Sequence, residues 1–176
     1  MNGKSSEHPV NDGQHRQALT FVLGGEQYGV DILRVREIRA WQAPRPLPNL
    51  PDFVSGVMDF RGGAVPVVDL RKRFRLPDAT TDRETVIIVV SVQVSDTEAV
   101  MGMVVDRVAD VVDMPDGAIQ PPPTLGHRLD TRFMSGMIRH NDRMIVLVDL
   151  DQLLNPDGFA EVFAAAAAQG GEHEPD

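Results

Sequence analysis

One stretch of this chain occurs twice. Residues 53–70, FVSGVMDFRGGAVPVVDL, align without gaps with residues 133–150, FMSGMIRHNDRMIVLVDL, at an offset of 80. Both copies keep an initial Phe, a Ser-Gly pair and a closing Val-Asp-Leu. A weaker match upstream places YGVDILRVREI over MGMVVDRVADVV at an offset of 73. A repeat of about 70 residues is barely long enough to form a core of its own, so the two repeats should pack against each other and share apolar surface. We call this shared boundary the seam, and a groove is expected there.

The apolar pattern predicts about ten short strands and little helix. ALTFVLGGEQYGVDI reads as a hairpin broken at two glycines, and DILRVREIRAW predicts a strand bent by one helical turn. Residues 86–90 are apolar on both faces, so we expect them to be covered on both sides. The pattern is typical of an all-β barrel or sandwich. Beyond it we expect disordered tails at residues 1–16 and 169–176 and an alanine-rich helix at residues 157–168.

Composition excludes several classes of function. The 176 residues suit one domain, and the absence of cysteine excludes disulfides and thiolate sites. A formal net charge of -9 argues against nucleic-acid binding. No secretory signal or membrane-spanning apolar run is present, so we expect a soluble, cytoplasmic protein without membrane insertion.

Motifs for catalysis and for cofactors are missing from the sequence. It contains no phosphate loop, no GxGxxG after a strand, no HExxH and no nucleophile elbow. His127 and His140 stand alone, and the aspartates between residues 106 and 116 lack a calcium-loop pattern. The sequence therefore predicts a protein that is not an enzyme and binds no cofactor or metal.

Four segments together resemble the CheW family, the scaffold proteins of bacterial chemotaxis arrays. In order they are FVLGGEQYGVDILRVREI, PNLPDFVSGVMDFRGGAVPVVDLRKRF, MGMVVDRVADVV and RFMSGMIRHNDRMIVLVDLDQLL. The resemblance implies a CheW-like domain over residues 17–156, built as two intertwined five-stranded SH3-like β-barrels around a shared apolar seam, with short helical turns. It also implies a non-catalytic adaptor that couples methyl-accepting chemoreceptors to the histidine kinase CheA. The kinase's regulatory domain and the receptor's cytoplasmic tip would be its partners, and these partners would hold it at membrane-bound receptor arrays.

The resemblance also implies a set of receptor- and kinase-binding residues. Taken alone, the apolar members are typical of a core, the glycines of spacers between close strands, and the arginine of a solvated turn. The turn DFRGG departs from the family's usual Asn-Leu-Arg-Gly, so a looser turn is expected. The basic run at residues 71–75 is predicted to be a solvated turn. The predicted binding residues are Ile32, Val35, Glu37, Gly56, Arg61, Gly102, Val104 and Val108.

Two alternatives remain open from the sequence. One is a CheW-like scaffold of a non-flagellar chemosensory system, which would use the same groove. The other, from a different class, is a small-ligand-binding all-β module, which predicts an enclosed cavity instead of an open groove.

Overall fold

A computed structural model of the protein describes residues 16–77, 80–94, 96–121 and 131–154. The predicted terminal tails, the predicted helix at residues 157–168 and His127 lie outside these residues, apart from residue 16. The described residues form ten β-strands and two short α-helices, and the prediction of an all-β fold is confirmed. The strands are β1 (Gln17–Leu23), β2 (Glu26–Asp31), β3 (Val35–Ala40), β4 (Val54–Phe60), β5 (Gly63–Asp69), β6 (Val86–Val94), β7 (Thr97–Val105), β8 (Arg107–Asp113), β9 (Met134–His140) and β10 (Arg143–Val148); the helices are α1 (Leu70–Arg73) and α2 (Leu150–Leu153).

The strands form two five-stranded sheets that exchange hairpins. The first sheet has the order β8-β1-β2-β10-β9 and the second the order β3-β6-β7-β5-β4. We call them barrel A and barrel B. Barrel A therefore takes β1 and β2 from the first repeat and its other strands from the second, whereas barrel B takes β6 and β7 from the second repeat. The sequence repeat is confirmed as a structural unit, but neither repeat builds a barrel by itself.

The two barrels match strand for strand. In barrel A the parallel pair β2 and β10 places Gly29 beside Leu147, and in barrel B the parallel pair β7 and β5 places Gly102 beside Val67. Gly29 and Gly102 are equivalent at the offset of 73, and Val67 and Leu147 are equivalent at the offset of 80. The molecule thus has an approximate internal two-fold symmetry, and residues of the repeated segments have counterparts that serve as natural comparisons.

Among the described residues, three apolar clusters stabilise this arrangement. One lies inside barrel A, around Ile138, Ile145 and Leu147, and one lies inside barrel B, around Val67 and Val89. The largest cluster lies between the barrels and includes side chains from both sheets and both helices. We call it the seam cluster. Residues 87–90 on β6 alternate between barrel B and the seam cluster, so the expected covering of this strand on both sides is confirmed.

The repeated Phe and Asp residues join each second hairpin to the helix that follows it. The backbone N–H of Asp69 donates to the carbonyl oxygen of Phe53 at 2.8 Å, and Asp149 makes the same bond to Phe133 at 2.8 Å. Each aspartate also caps its helix, because its carboxylate accepts a backbone N–H from the first turn. The Val-Asp-Leu motif is therefore kept twice for a structural reason.

The repeated glycine allows each barrel to close. After β3 the chain returns to β4, where Arg45 and Val57 exchange two backbone hydrogen bonds of 2.9 Å. A Cβ atom at Gly56 would lie 2.1 Å from the carbonyl oxygen of Arg45. In barrel A, Gln120 and Met137 form the equivalent bridge beside the second glycine of the repeat. Only glycine leaves room for the closing segment at these positions.

The basic run at residues 71–75 is not a solvated turn throughout, and that prediction is wrong for two of its members. The guanidinium of Arg73 lies between the rings of Phe53 and Phe133, 4.8 Å and 4.6 Å from their centroids. Nε of Arg73 donates to the carbonyl oxygen of Leu153, the residue that occupies the position of Arg73 in the second repeat. Arg71 is half-buried beside Asp106. Arginine can fill these places because its planar cation stacks on aromatic faces.

Candidate functional site

The tip of the β4–β5 hairpin presents Arg61 to solvent. The hairpin turns on two residues, Arg61 at φ 52° and Gly62 at φ 85°, a left-handed pair typical of a type I′ turn. The expected five-residue, looser turn is therefore wrong, since Phe60 and Gly63 already pair as strand residues. In barrel A the same two positions hold Asn141 and Asp142, which tolerate this conformation well.

Arginine at this turn position carries a conformational cost that its counterpart does not. Asparagine visits the left-handed region routinely, whereas a long side chain there is uncommon. The guanidinium of Arg61 packs 5.0 Å from the ring centroid of Phe60, which itself is buried. This contact holds the cation against the barrel and leaves it exposed, an arrangement suited to presentation.

Beside this hairpin, charged side chains connect β3 to β4. Arg39 forms an ion pair with Glu37 on its own strand and donates to the carbonyl oxygen of Asp59 at 2.8 Å. Arg45 donates to the carboxylate of Asp59 at 3.1 Å. The predicted residues Glu37 and Arg61 thus lie at one mouth of barrel B, each next to an arginine or aromatic partner.

A second group of the predicted residues lies at the edge of the seam cluster. Ile32, in the 3-10 turn Ile32–Arg34, and Val35 on β3 pack against this cluster from one side. Val108 on β8 packs against it too and is the counterpart of Val35. In the described part of the chain the interior of the seam is filled by buried side chains, and a binding groove along its surface stays a prediction. Close packing leaves only the half-buried edge for a partner.

The remaining predicted residues lie inside barrel B or on its wall. Gly56 is buried under the closing segment, and Gly102 is buried where a Cβ atom would lie 2.8 Å from Ile87. Val104 is half-buried against the interior cluster. The structure therefore separates the predicted set into a seam-edge group and a barrel B group. A role of these residues in binding stays a prediction.

Sequence reasoning missed the most exposed apolar side chains. Leu33 is 78% exposed in the 3-10 turn, and Ile38 on β3 is 44% exposed. Val111 on β8, the counterpart of Ile38, is also 44% exposed. Leu33 stands in the chain between Ile32 and Val35 of the seam-edge group, and exposed apolar residues next to one another mark interaction surfaces. Their spacing resembles that of core residues, so no signal in the sequence separates them from buried residues.

The connection from β2 to β3 leads the chain from barrel A to barrel B, and the connection from β7 to β8 leads it back. An ion pair joins the first connection to α2 and the second to α1. Arg34 makes two bonds to the carboxylate of Asp151 on α2, at 2.8 Å and 2.9 Å. In the connection from β7 to β8 the charges are reversed, because Asp106, the residue before the counterpart of Arg34, lies 3.2 Å from Nε of Arg71 on α1. The hydrogen bonds from Arg34 hold the pKa of Asp151 below its ordinary value, and those to Asp151 raise the pKa of Arg34.

This ion pair predicts a specific loss of stability in acid. Because the pKa of Asp151 is lowered in the fold, its contribution is complete above the unfolded value of 3.8 and disappears as pH falls through the folded value. Both side chains are about one-third exposed, so we expect the Asp151→Asn substitution to cost only about 1 kcal/mol at pH 7. Urea unfolding between pH 7 and pH 2 measures it. The variant should lose less stability than the parent below pH 4, whereas Asp52→Asn, at an exposed aspartate, should follow the parent curve.

Neither a metal site nor a membrane span is found among the described residues. No group of three or more histidine, aspartate or glutamate side chains is arranged there to hold a metal ion. No helix in this part of the chain has the length and apolarity needed to cross a bilayer.

Comparison with known proteins adds family relationships to this geometry. The CheW-like domain family matches residues 17–157. The chain is 38% identical over 147 residues to "Chemotaxis protein CheW" of Klebsiella aerogenes, covering 84% of this chain and 86% of that protein. It is 31% identical over 141 residues to "Protein FrzA" of Myxococcus xanthus, covering 79% and 85%. The crystal structure of the scaffolding protein TtCheW from Thermoanaerobacter tengcongensis matches at 30% identity with a TM-score of 0.72, over 82% of this chain and 90% of that one.

Proposed function

The chain belongs to the family of CheW-like domains, and from this premise we propose that it is a coupling adaptor of a chemosensory signalling array. It links methyl-accepting chemoreceptors to the histidine kinase CheA and has no catalytic activity of its own. The observation that carries the proposal is the match to CheW proteins over nearly all of the described fold, together with the fold shared with a scaffolding protein. We place this function in the cytoplasm, at receptor arrays held by the partners.

The seam-edge surface supports docking of a receptor's helical tip. We define this surface by Ile32, Leu33, Val35, Ile38 and Val108, which offer half-buried and exposed apolar area at the border of both barrels. A helical tip with an apolar stripe is recognised by such a surface through its anchors at helical spacing. The rigid seam cluster behind the surface limits the ordering cost of binding.

The barrel B mouth supports a second, polar contact. Glu37 and Arg61 lie there with opposite charges. Arg61 extends from the β4–β5 turn, and the equivalent turn of barrel A, between β9 and β10, forms without an arginine at that position. Charged groups at a rim select partners and orient them more than they add affinity. We assign to this mouth the discrimination between partners and to the seam edge most of the binding free energy.

The alternatives differ in how well the structure supports them. A scaffold of a non-flagellar system would use the same two surfaces, and the similarity to both CheW and FrzA keeps that alternative in place. A small-ligand module has less support. The interior of the seam is filled, and the cleft beside β4 has a volume of about 190 Å³, below the roughly 300 Å³ at which ligand pockets begin. A larger cleft of about 450 Å³ is lined by the charged residues Asp82, Arg83 and Glu84, whereas ligand pockets are lined mostly by apolar side chains.

Reconstitution tests the adaptor role. Purified chain is added to CheA and to receptor fragments assembled as arrays, and kinase autophosphorylation is measured with and without receptor ligand. We expect receptor control of the kinase only when the chain is present. Leu33→Glu should raise the concentration of the chain that is needed for this control at least tenfold, because it places a charge on the apolar surface. Kinase control that is equally strong without the chain would contradict the proposal.

A further inference from the structure

The 3-10 turn Ile32–Arg34 carries Leu33, whose side chain is 78% exposed. None of the three side chains of the turn is fully buried, although Ile32 packs against the seam cluster. The carboxylate of Asp31 accepts the backbone N–H of Leu33 at 3.0 Å, and the backbone N–H of Val35 donates to the carbonyl oxygen of Ile32. These bonds shape the turn locally. The turn thus has little buried apolar surface of its own to hold it in place.

The side chain of Arg34 joins this turn to two other elements. Its Nη1 donates to the carbonyl oxygen of Ser91 on β6 at 3.0 Å. The guanidinium also binds the carboxylate of Asp151 on α2 at two points, with Nη1 2.9 Å from one oxygen and Nη2 2.8 Å from the other. Asp151 is itself held, because one of its oxygens accepts the backbone N–H of Gln93 at 2.9 Å. Since a planar guanidinium bound at two points has a fixed orientation, these bonds fix Arg34, and with it the turn, against β6 and α2.

The equivalent connection, between β7 and β8, is tied in a different way. At the offset of 73, Asp106 takes the place of Leu33 and Arg107 takes the place of Arg34. There the middle residue makes the contacts, because Asp106 accepts the backbone N–H of Gly24 at 3.0 Å and lies beside the guanidinium of an arginine on α1. The residue that follows, Arg107, is exposed. The fold can therefore tie such a connection without leaving a leucine in solvent, so a structural requirement does not explain the exposure of Leu33.

We propose that the ion pair between Arg34 and Asp151 positions the 3-10 turn so that Leu33 is presented in one orientation to the helical tip of the receptor. The proposal rests on the adaptor function and on the seam-edge surface proposed above. A leucine on a loose turn has to be ordered when the partner binds, which lowers the affinity, whereas a fixed turn avoids most of that cost. Arg34 and Asp151 are thus positioning residues, which act on the partner through Leu33.

Backbone dynamics test the positioning without any partner. The order parameter of the Leu33 amide is measured by ¹⁵N relaxation in the whole chain, and it should be about 0.85 in the parent, typical of rigid backbone. Arg34→Gln and Asp151→Asn should each lower it to about 0.6 or less. Arg36→Gln, which breaks the neighbouring ion pair between β3 and Glu98, should leave it unchanged. A Leu33 amide that stays rigid in the folded Arg34→Gln variant, or in Asp151→Asn if Arg34→Gln does not fold, would overturn the proposal.

A double-mutant cycle connects the turn to partner binding. The Kd for a receptor cytoplasmic-tip fragment is measured by isothermal titration calorimetry. Leu33→Ala should raise this Kd about tenfold, and Arg34→Gln should raise it about fivefold. In the Leu33→Ala background, Arg34→Gln should change the Kd less than about twofold, because the ion pair acts through the leucine that is then absent. An effect of Arg34→Gln that is equally large in both backgrounds would contradict the positioning role.

The controls separate this proposal from the adaptor function on which it rests. Arg36→Gln removes the same charge two residues away and should leave the Kd unchanged. A loss of binding as large as that of Arg34→Gln would assign the effect to net charge and overturn the positioning role. A parent chain that fails to bind the receptor fragment would contradict the proposed function, whereas the order parameters of Leu33 still decide whether the ion pair fixes the turn.

Discussion

Replacing Gly56 with alanine is expected to lower the free energy of unfolding by about 3 kcal/mol or more. The added Cβ atom would lie 2.1 Å from the carbonyl oxygen of Arg45, which is backbone and cannot rotate away. The closing segment of barrel B must then move, and the two hydrogen bonds between Arg45 and Val57 must break. Urea unfolding followed by circular dichroism measures the change.

A second glycine provides the matched control. Gly62 also has a positive φ, at 85°, but nothing lies within 4 Å of a Cβ atom built there. Gly62→Ala should therefore cost only the conformational strain, roughly 1 kcal/mol. If both substitutions cost the same, strain alone explains the requirement for glycine and the steric account of barrel closure is wrong.

This prediction bears on the proposed binding role of Gly56. A buried glycine offers a partner no side chain, and a larger residue there disturbs the hairpin that ends at Arg61. Lost partner binding in a Gly56 variant would thus accompany lost stability. Binding that fails while the free energy of unfolding is unchanged would instead indicate direct contact.

Reversing the charge of Arg61 is expected to weaken partner binding strongly and leave the fold intact. Arg61→Glu should raise the Kd for a CheA regulatory-domain or receptor fragment by roughly 30-fold, because it puts an acid where a guanidinium is presented. Its effect on the melting temperature should be small, since the side chain is exposed. Isothermal titration calorimetry and thermal unfolding measure the two quantities.

The internal repeat supplies a milder variant and a control. Arg61→Asn introduces the residue that barrel A uses at this turn position, so the hairpin should be as stable or slightly more stable. Its binding should still fall about tenfold, because the cation is lost. Arg143→Glu, beside the symmetric turn, should leave binding unchanged. Unchanged binding by Arg61→Glu would remove Arg61 from the proposed interface.

The repeat predicted much of the fold, but it did not predict the exchange of strands. Apolar alternation indicates that β2 and β7 are strands with a buried face. It carries no information about the partner that each finds, because a strand's pattern is the same beside any neighbour. The parallel pairs β2 with β10 and β7 with β5 join segments far apart in the chain, and only the structure shows them.

The candidate site was predictable where local chemistry decides and not where packing decides. Arg61 was recognisable because an arginine between apolar strands points to a turn, and its exposure agrees with this. The exposure of Leu33 was not recognisable, since the sequence does not distinguish an exposed leucine from a buried one. Arg73 was also missed, because nothing in a run of basic residues shows that two distant phenylalanine rings enclose one of them.

The exchange of hairpins also sets the order in which the chain can fold during synthesis. All strands of barrel B have been made once β7 is complete, so this barrel can form while the rest is still being translated. The first hairpin, β1 and β2, must wait for β8, β9 and β10, although it leaves the ribosome first. Its apolar strands are therefore exposed for most of translation. The first hairpin to be synthesised is therefore the last to pair with its final neighbours.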